Sequence, residues 1–206
     1  MPTRTLVLGT TNPGKIREFA DLLRPLDIEL RSLADFPPVL AVDETGETFE
    51  ANAALKAVAQ ALYLKQWVLA EDSGIVVAAL GGMPGVLSAR YSDPGATDER
   101  NNQLLLANLA KVPNDRRGAY YECQICLADP TGKVRLRSAG RCHGRIRREP
   151  AGNGGFGYDP LFEITEYHRT FGELGDGVKA VLSHRARATE QLLGPLDELT
   201  RSKAWT

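Results

Sequence analysis

Leu6-Val7-Leu8-Gly9-Thr10-Thr11-Asn12-Pro13-Gly14-Lys15 decides the fold class. Three apolar residues without polar alternation read as a buried strand. Gly9 to Gly14 then makes a loop. From Lys15 to Leu23, Ile16, Phe19 and Leu23 recur at helical spacing, so a helix follows directly. Pro25 stops that helix, and Ile28-Glu29-Leu30 is a short strand. Thr48 is placed to cap an alanine-rich helix from Phe49 to about Leu64. Trp67-Val68-Leu69-Ala70 is a second buried strand, ending at Glu71-Asp72, and Ile75 to Leu80 is apolar again. Thr97-Asp98 caps a helix through Leu109. Tyr120 to Ala128 and Lys133 to Cys142 flank Asp129-Pro130-Thr131-Gly132, whose Pro and Gly fit a type I turn and predict a hairpin. Tyr158 to Ile164 reads as a strand, and Ser183 is placed to cap a last helix towards Leu193. Early strand–helix alternation with a hairpin in the middle predicts an α/β protein built on a mixed sheet with flanking helices.

The 206 residues suit a single domain over 1–206. The 25 basic and 26 acidic side chains give a net charge of −1, which argues against a dedicated binder of nucleic acid or membrane surface. No apolar run approaches the roughly 20 residues of a membrane helix, and the start does not read as a signal peptide. Three cysteines without a secretory context point to a reducing cytoplasm. In a strand, the sulfurs of Cys123-Gln124-Ile125-Cys126 face opposite ways, so the cysteines read as packing residues rather than a zinc or redox site.

Three stretches carry chemistry. The loop Gly9 to Lys15 has the first seven positions of a phosphate-binding G-x-x-x-x-G-K, with small residues at a helix start and a lysine as point charge. Ile16 then stands where a P-loop has Ser or Thr for magnesium, so the stretch fails the full pattern. Glu44, Glu71 and Asp72 are oxygen donors of the kind a hard divalent cation takes. Glu71 and Asp72 are adjacent in a strand, point to opposite faces and are expected to do different jobs. Asn52 and Lys56 share one helix face. Gly154-Gly155-Phe156-Gly157-Tyr158-Asp159 frames an aromatic ring with glycines, suited to stacking on a base. Lys179, His184 and Arg185 follow as donors.

Taken in order, Thr10-Thr11-Asn12-Pro13-Gly14-Lys15, Glu44-Thr45-Gly46-Glu47-Thr48-Phe49, Asn52-Ala53 with Lys56, Glu71-Asp72-Ser73-Gly74, Leu80-Gly81-Gly82-Met83-Pro84-Gly85, Ser88-Ala89-Arg90-Tyr91, Arg148-Glu149-Pro150-Ala151-Gly152, Phe156-Gly157-Tyr158-Asp159-Pro160 and Ser183-His184-Arg185 span nearly the whole chain. In this ordered set the chain resembles the inosine triphosphate pyrophosphatases. The resemblance implies hydrolysis of non-standard purine nucleoside triphosphates (ITP, dITP, XTP) to the monophosphate and pyrophosphate with Mg2+. It implies an elongated mixed sheet with two lobes around a central cleft, and a homodimer; the charge balance adds the expectation of no nucleic-acid and no membrane partner. Carried over by position, Thr10, Thr11, Asn12, Pro13, Gly14 and Lys15 would hold the triphosphate. Glu44 and Asp72 would hold magnesium, and Asp72 would also activate water. Lys56 and Ser73 would touch substrate. Phe156, Gly157, Tyr158 and Asp159 would surround base and sugar, and Lys179, His184 and Arg185 would complete the base pocket. Thr11 stands where the family commonly has glycine.

Two other readings compete. A P-loop ATPase or kinase would release inorganic phosphate, and Ile16 counts against it. A non-catalytic nucleotide or RNA binder would use the basic stretch Arg135, Arg137, Arg141, Arg145, Arg147 and Arg148.

Overall fold

The computed structural model describes residues 4–205. Its elements are β1 (Thr5–Leu8), α1 (Pro13–Leu22), β2 (Glu29–Ser32), α2 (Phe49–Leu64), β3 (Val68–Val77), α3 (Asp98–Asn108), β4 (Gly118–Ala128), β5 (Val134–Ile146), β6 (Phe162–Ile164), β7 (Arg169–Thr170), α4 (Phe171–Leu182) and α5 (His184–Arg201). The strands form one seven-stranded sheet in the order β2-β1-β3-β4-β5-β6-β7. It is mixed: β1 runs parallel to β2 and β3, whereas β5–β6 and β6–β7 are antiparallel. The α/β class and the mixed sheet expected from the sequence are both present.

The chain packs as two compact units. The first comprises 1–72, 123–140 and 185–206. Its strands are apolar on both faces because helices cover both. On one face Leu6, Leu8, Leu69, Cys123, Ile125 and Leu127 pack with α1 and α5. On the other, Val7, Val68, Ala70, Cys126 and Ala128 pack against Ala53, Ala57 and Ala61 of α2. The alternation follows the two-residue period of a strand, and it puts Cys123 and Cys126 in different clusters, as expected for packing residues. The small alanine face lets α2 lie close on the sheet.

The second unit comprises 73–122 and 141–184. Its core gathers Ile75 and Val77 of β3, Leu105 of α3, Tyr121 of β4, Ile146 of β5, Phe162 of β6 and Phe171 of α4. Tyr121, Phe162 and Phe171 pack ring to ring, with centroids 4.7 to 6.4 Å apart.

Thr48 caps α2 by accepting from the Ala51 amide, and Thr97 caps α3 through Arg100, as the sequence predicts. The hairpin turn is also as read, since the Gly132 amide donates to the Asp129 carbonyl at 2.8 Å. Other boundaries move. β3 does not stop at Glu71-Asp72 but continues to Val77, because both acids have partners that make them buriable and Gly74 allows close approach. A Cβ at Gly74 would lie 2.3 Å from Ser88 Oγ. The strand expected over 158–164 is only Phe162–Ile164, because the Tyr158 carbonyl accepts from the amides of Leu161 and Phe162 in a tight turn. α4 was not expected, since its sequence carries three glycines. A capping box between Thr170 and Glu173 starts it regardless. α5 runs past Leu193 to Arg201 with Pro195 inside it.

Candidate active site

In the first unit the chemistry gathers at the β1–α1 loop and around Glu71 and Asp72. Gly9 lets the loop leave the sheet, because a Cβ there would sit 2.8 Å from the Ala70 Cβ. Asn12 then caps α1. Its Oδ1 accepts from the amides of Gly14 and Lys15 at 2.9 and 3.1 Å, with Pro13 at the first helical position. The two first-turn amides that a phosphate would seek are therefore satisfied by Asn12. The predicted loop residues, Thr10 to Lys15, lie together between β1 and α1.

Glu71 and Asp72 have separate partners, because alternation aims them at opposite faces of β3. Glu71 lies on the α1–α5 face. Lys15 Nζ reaches it at 2.6 Å and Arg185 at 3.2 Å, and Arg185 also pairs with Glu18. Cys123 Sγ donates to Glu71 at 3.5 Å. Burial alone would raise the Glu71 carboxyl, but the charges of Lys15 and Arg185 outweigh it and hold it well below the usual carboxylate range. Glu71 is thus a fixed anion that aims Lys15. Arg185, expected at the base, has its two terminal nitrogens on Glu18 and Glu71.

Asp72 lies on the α2 face. Lys56 Nζ donates to it at 2.8 Å and Asn52 Nδ2 at 3.3 Å. Lys56 also meets Glu44 at 3.4 Å, so one ammonium spans the two predicted metal carboxylates. Burial pushes the Asp72 carboxyl up, Lys56 offsets only part of that, and Glu44 and Glu71 push it further, to about 6. Burial works against the Lys56 charge, yet Asp72, Glu71 and Glu44 together raise its pKa. Asn52 is the residue that sequence reading under-rated. It is completely buried, and its Oδ1 accepts from the Gly46 amide at 2.8 Å, tying the Glu44 loop to α2. Its i, i+4 relation to Lys56 was the available signal.

The cluster holds four carboxylates (Glu18, Glu44, Glu71, Asp72) against three cations (Lys15, Lys56, Arg185). Among the described residues no group of three or more His, Cys, Asp or Glu side chains is arranged to hold a metal. Glu44 and Asp72 nevertheless fit magnesium, which takes one or two carboxylates and completes its shell with water and substrate phosphate. The surplus negative charge and the raised Asp72 pKa are both relieved by a cation there.

In the second unit, Asp159 organises a separate cluster. Its Oδ2 accepts from Lys179 Nζ at 2.6 Å and from the Phe156 amide at 2.9 Å, and Tyr121 donates to its Oδ1 at 3.4 Å. Lys179 Nζ in turn lies 4.1 Å from the Phe156 ring centroid, a cation–π contact. The His184 ring stacks on Tyr121 at 4.7 Å with planes 10° apart. Tyr158 donates to the Ser88 carbonyl at 2.8 Å, and Gly157 N donates to Asp98 at 2.6 Å. Gly155 is obligatory: its φ is +76°, and a Cβ would fall 2.1 Å from Asp159 Oδ2. The structure therefore brings Phe156, Gly157, Tyr158, Asp159, Lys179 and His184 into one neighbourhood, with the Asp159 carboxylate engaged by the frame itself. Tyr121 was missed, since it reads in sequence as one more strand aromatic. Ser73, in β3, belongs to this unit by chain position.

The basic stretch of β5 is largely neutralised where it stands. Arg135 pairs with Asp129, Arg137 with Glu50, Arg141 with Glu122 and Arg145 with Glu163. Among the described residues no helix is long and apolar enough to cross a membrane.

A sequence model of the Ham1 family matches residues 6–194. The chain is 52% identical over 199 residues to a dITP/XTP pyrophosphatase of Rhodopirellula baltica, covering 97% of this chain and 96% of that protein. It is 48% identical over 187 residues to one of Exiguobacterium sp., covering 91% and 94%. The solved structure of a HAM1 protein from Coxiella burnetii superposes with a TM-score of 0.86 at 39% identity, covering 94% of this chain and 98% of that one.

Proposed function

The chain belongs to the Ham1 family, and from that premise we propose that it hydrolyses non-standard purine nucleoside triphosphates, ITP, dITP and XTP, to the nucleoside monophosphate and pyrophosphate. The observation that carries the chemistry is that Lys15 and Lys56 are each held by a buried carboxylate, Glu71 and Asp72, at the same stretch of one strand. Phosphoryl transfer needs mainly positioning and charge neutralisation. The two ammonium groups supply both, and the acids that hold them have already restricted their side-chain freedom. Thr10, Thr11, Asn12, Pro13 and Gly14 hold phosphate oxygens beside Lys15, with the Asn12 side chain giving up the amides of Gly14 and Lys15 to the anion. Asp72 takes the proton of the attacking water, and its carboxyl, raised to about 6, is close to the pH at which a base works best.

Glu44 and Asp72 would hold the magnesium ion, which when bound neutralises phosphate charge and makes water a better nucleophile. Phe156 and His184 take the base, with Gly157 and Tyr158 shaping its surroundings. Asp159 and Lys179 fix the Phe156 ring, Ser73 contacts substrate, and Arg185 acts by holding Glu71. A donor at the 6-keto edge leaves adenine, which presents a donor there, unpaired, and such a mismatch can reject a ligand by roughly 10⁴-fold. The reading includes a cytoplasmic homodimer without a nucleic-acid partner. The test is incubation with ITP, dITP, XTP, GTP and ATP in magnesium, with both products identified. Pyrophosphate from the first three and little from ATP is expected. Release of inorganic phosphate, or equal turnover of ATP, overturns it.

A further inference from the structure

Outside the groups assigned above, Asn114, Arg117, Arg145, Ile146, Arg147, Arg148 and Glu163 line a cavity of about 250 Å³ in the second unit. Only two of the four arginines are matched by acids among the described residues. Arg145 takes Glu163 at 2.6 Å, and Arg147 takes Glu173 at 3.3 Å and Glu163 at 3.8 Å. Those two are compensated, two acids for two bases. Arg117 and Arg148 are not. Arg117 is buried and donates only to the backbone carbonyls of Ile146, Leu109 and Arg147, at 2.7 to 2.9 Å. Arg148 donates to Asn114 Oδ1 at 2.7 Å and to the Val112 carbonyl at 3.3 Å. Neither forms an ion pair among the described residues.

Each guanidinium carries five N–H donors. Arg117 spends three and Arg148 two, so five remain between them. A buried charge without a counter-ion is costly. Here the backbone carbonyls fix the Arg117 plane without neutralising it, which leaves a rigid donor fork at the wall of a cavity. The volume falls below the roughly 300–1,000 Å³ of pockets for drug-sized ligands. It suits a compact ion. Arginine forks match the oxygens of phosphate groups in both spacing and charge.

We propose that this cavity is a second anion site, in which Arg117 and Arg148 bind a phosphate-class oxyanion carrying about two negative charges. It shares no residue with the groups assigned to the triphosphate, the metal or the base, so it does not depend on the hydrolytic reading. The source is either free inorganic phosphate or pyrophosphate, or the phosphate end of a small phosphorylated compound.

The test uses the full chain with Lys15→Ala, which removes the loop cation so that binding there is not counted. Inorganic phosphate, pyrophosphate and a nucleoside monophosphate are each titrated by calorimetry at low ionic strength without metal, together with a short single-stranded RNA. Saturable binding of one ion per chain is expected for at least one of the phosphate compounds. The added Arg148→Ala should weaken it tenfold or more, and Arg148→Lys should restore part of it. Because Arg148 lies at the surface, the thermal melt should be unchanged within a few degrees. No saturable binding of any of the three compounds, equal affinity with and without Arg148, or binding of the RNA alone would each overturn the assignment.

Discussion

Asp72 is buried beside Glu44 and Glu71 with Lys56 as its cationic neighbour, so its ionised form is disfavoured in the fold. A carboxyl raised from about 3.9 to about 6 stabilises the protein fully below the unfolded value. That contribution is lost as pH rises through about 6. At neutral pH the ionised Asp72 is thus a cost that the chemistry requires. In metal-free protein at pH 7.5, Asp72→Asn is expected to melt no lower than the wild type, while hydrolysis falls by about 10² to 10⁴. Paired calorimetric and turnover measurements check both. Glu71 has the opposite sign. Its carboxyl is depressed by Lys15 and Arg185, so its stabilisation is present above about pH 4.3 and is lost as pH falls through the lowered value. Glu71→Gln leaves Arg185 and Lys15 short of a buried partner and should cost about 3–5 kcal/mol, measured by urea unfolding at pH 7. An unchanged midpoint would show that these ions are compensated elsewhere.

Helix α2 shows what an element contributes. Its start was legible because Thr48 is a cap before an alanine run, and its far end, Leu64, was placed correctly too. Thr48→Ala should cost about 1 kcal/mol, with little effect on turnover beyond the loss of folded protein. The Gly46 contact is a different matter, since a Cβ there would press to 2.6 Å from Asn52 Oδ1. Gly46→Ala is expected to loosen the Glu44 loop and raise the magnesium concentration needed for half-maximal activity several-fold, while far-UV circular dichroism stays unchanged. An unaltered magnesium dependence would separate Glu44 from the metal. Strand β3 and helix α4 were less legible. Charged residues in the middle of β3 mimic a strand end when their partners, Lys15, Lys56 and Arg185, lie far away in sequence. Three glycines in α4 lower its helix propensity; the packing of Phe171 into the aromatic core still anchors its start, but Gly175, at φ +76° and ψ 175°, kinks it.

On the scale of the molecule, the three cysteines divide among three separate apolar clusters, and all are buried thiols. Burial, and for Cys123 the nearby Glu71 charge, raises the thiols of Cys123 and Cys126. An Ellman titration should therefore find almost no reactive thiol in the native protein and three per chain in guanidinium chloride. Rapid native reaction would contradict the packing. The near balance of 25 basic and 26 acidic residues was plain from the sequence, but pairing is what gives it meaning. Of the six arginines that looked like one basic surface, five pair with acids and, among the described residues, Arg148 alone does not; it lines one cavity with Arg117, which also lacks an acid. The sequence by itself determined the α/β class, the helix starts at Thr48 and Thr97, the hairpin at Asp129 and the family, because these rest on local spacing, caps and ordered motifs. Only the tertiary structure decided that Glu71 holds Lys15 and Arg185 while Asp72 holds Lys56, and that Asp159 binds Lys179 rather than standing open. Charges are matched across space, and a linear chain does not record which distant partner a buried ion will meet.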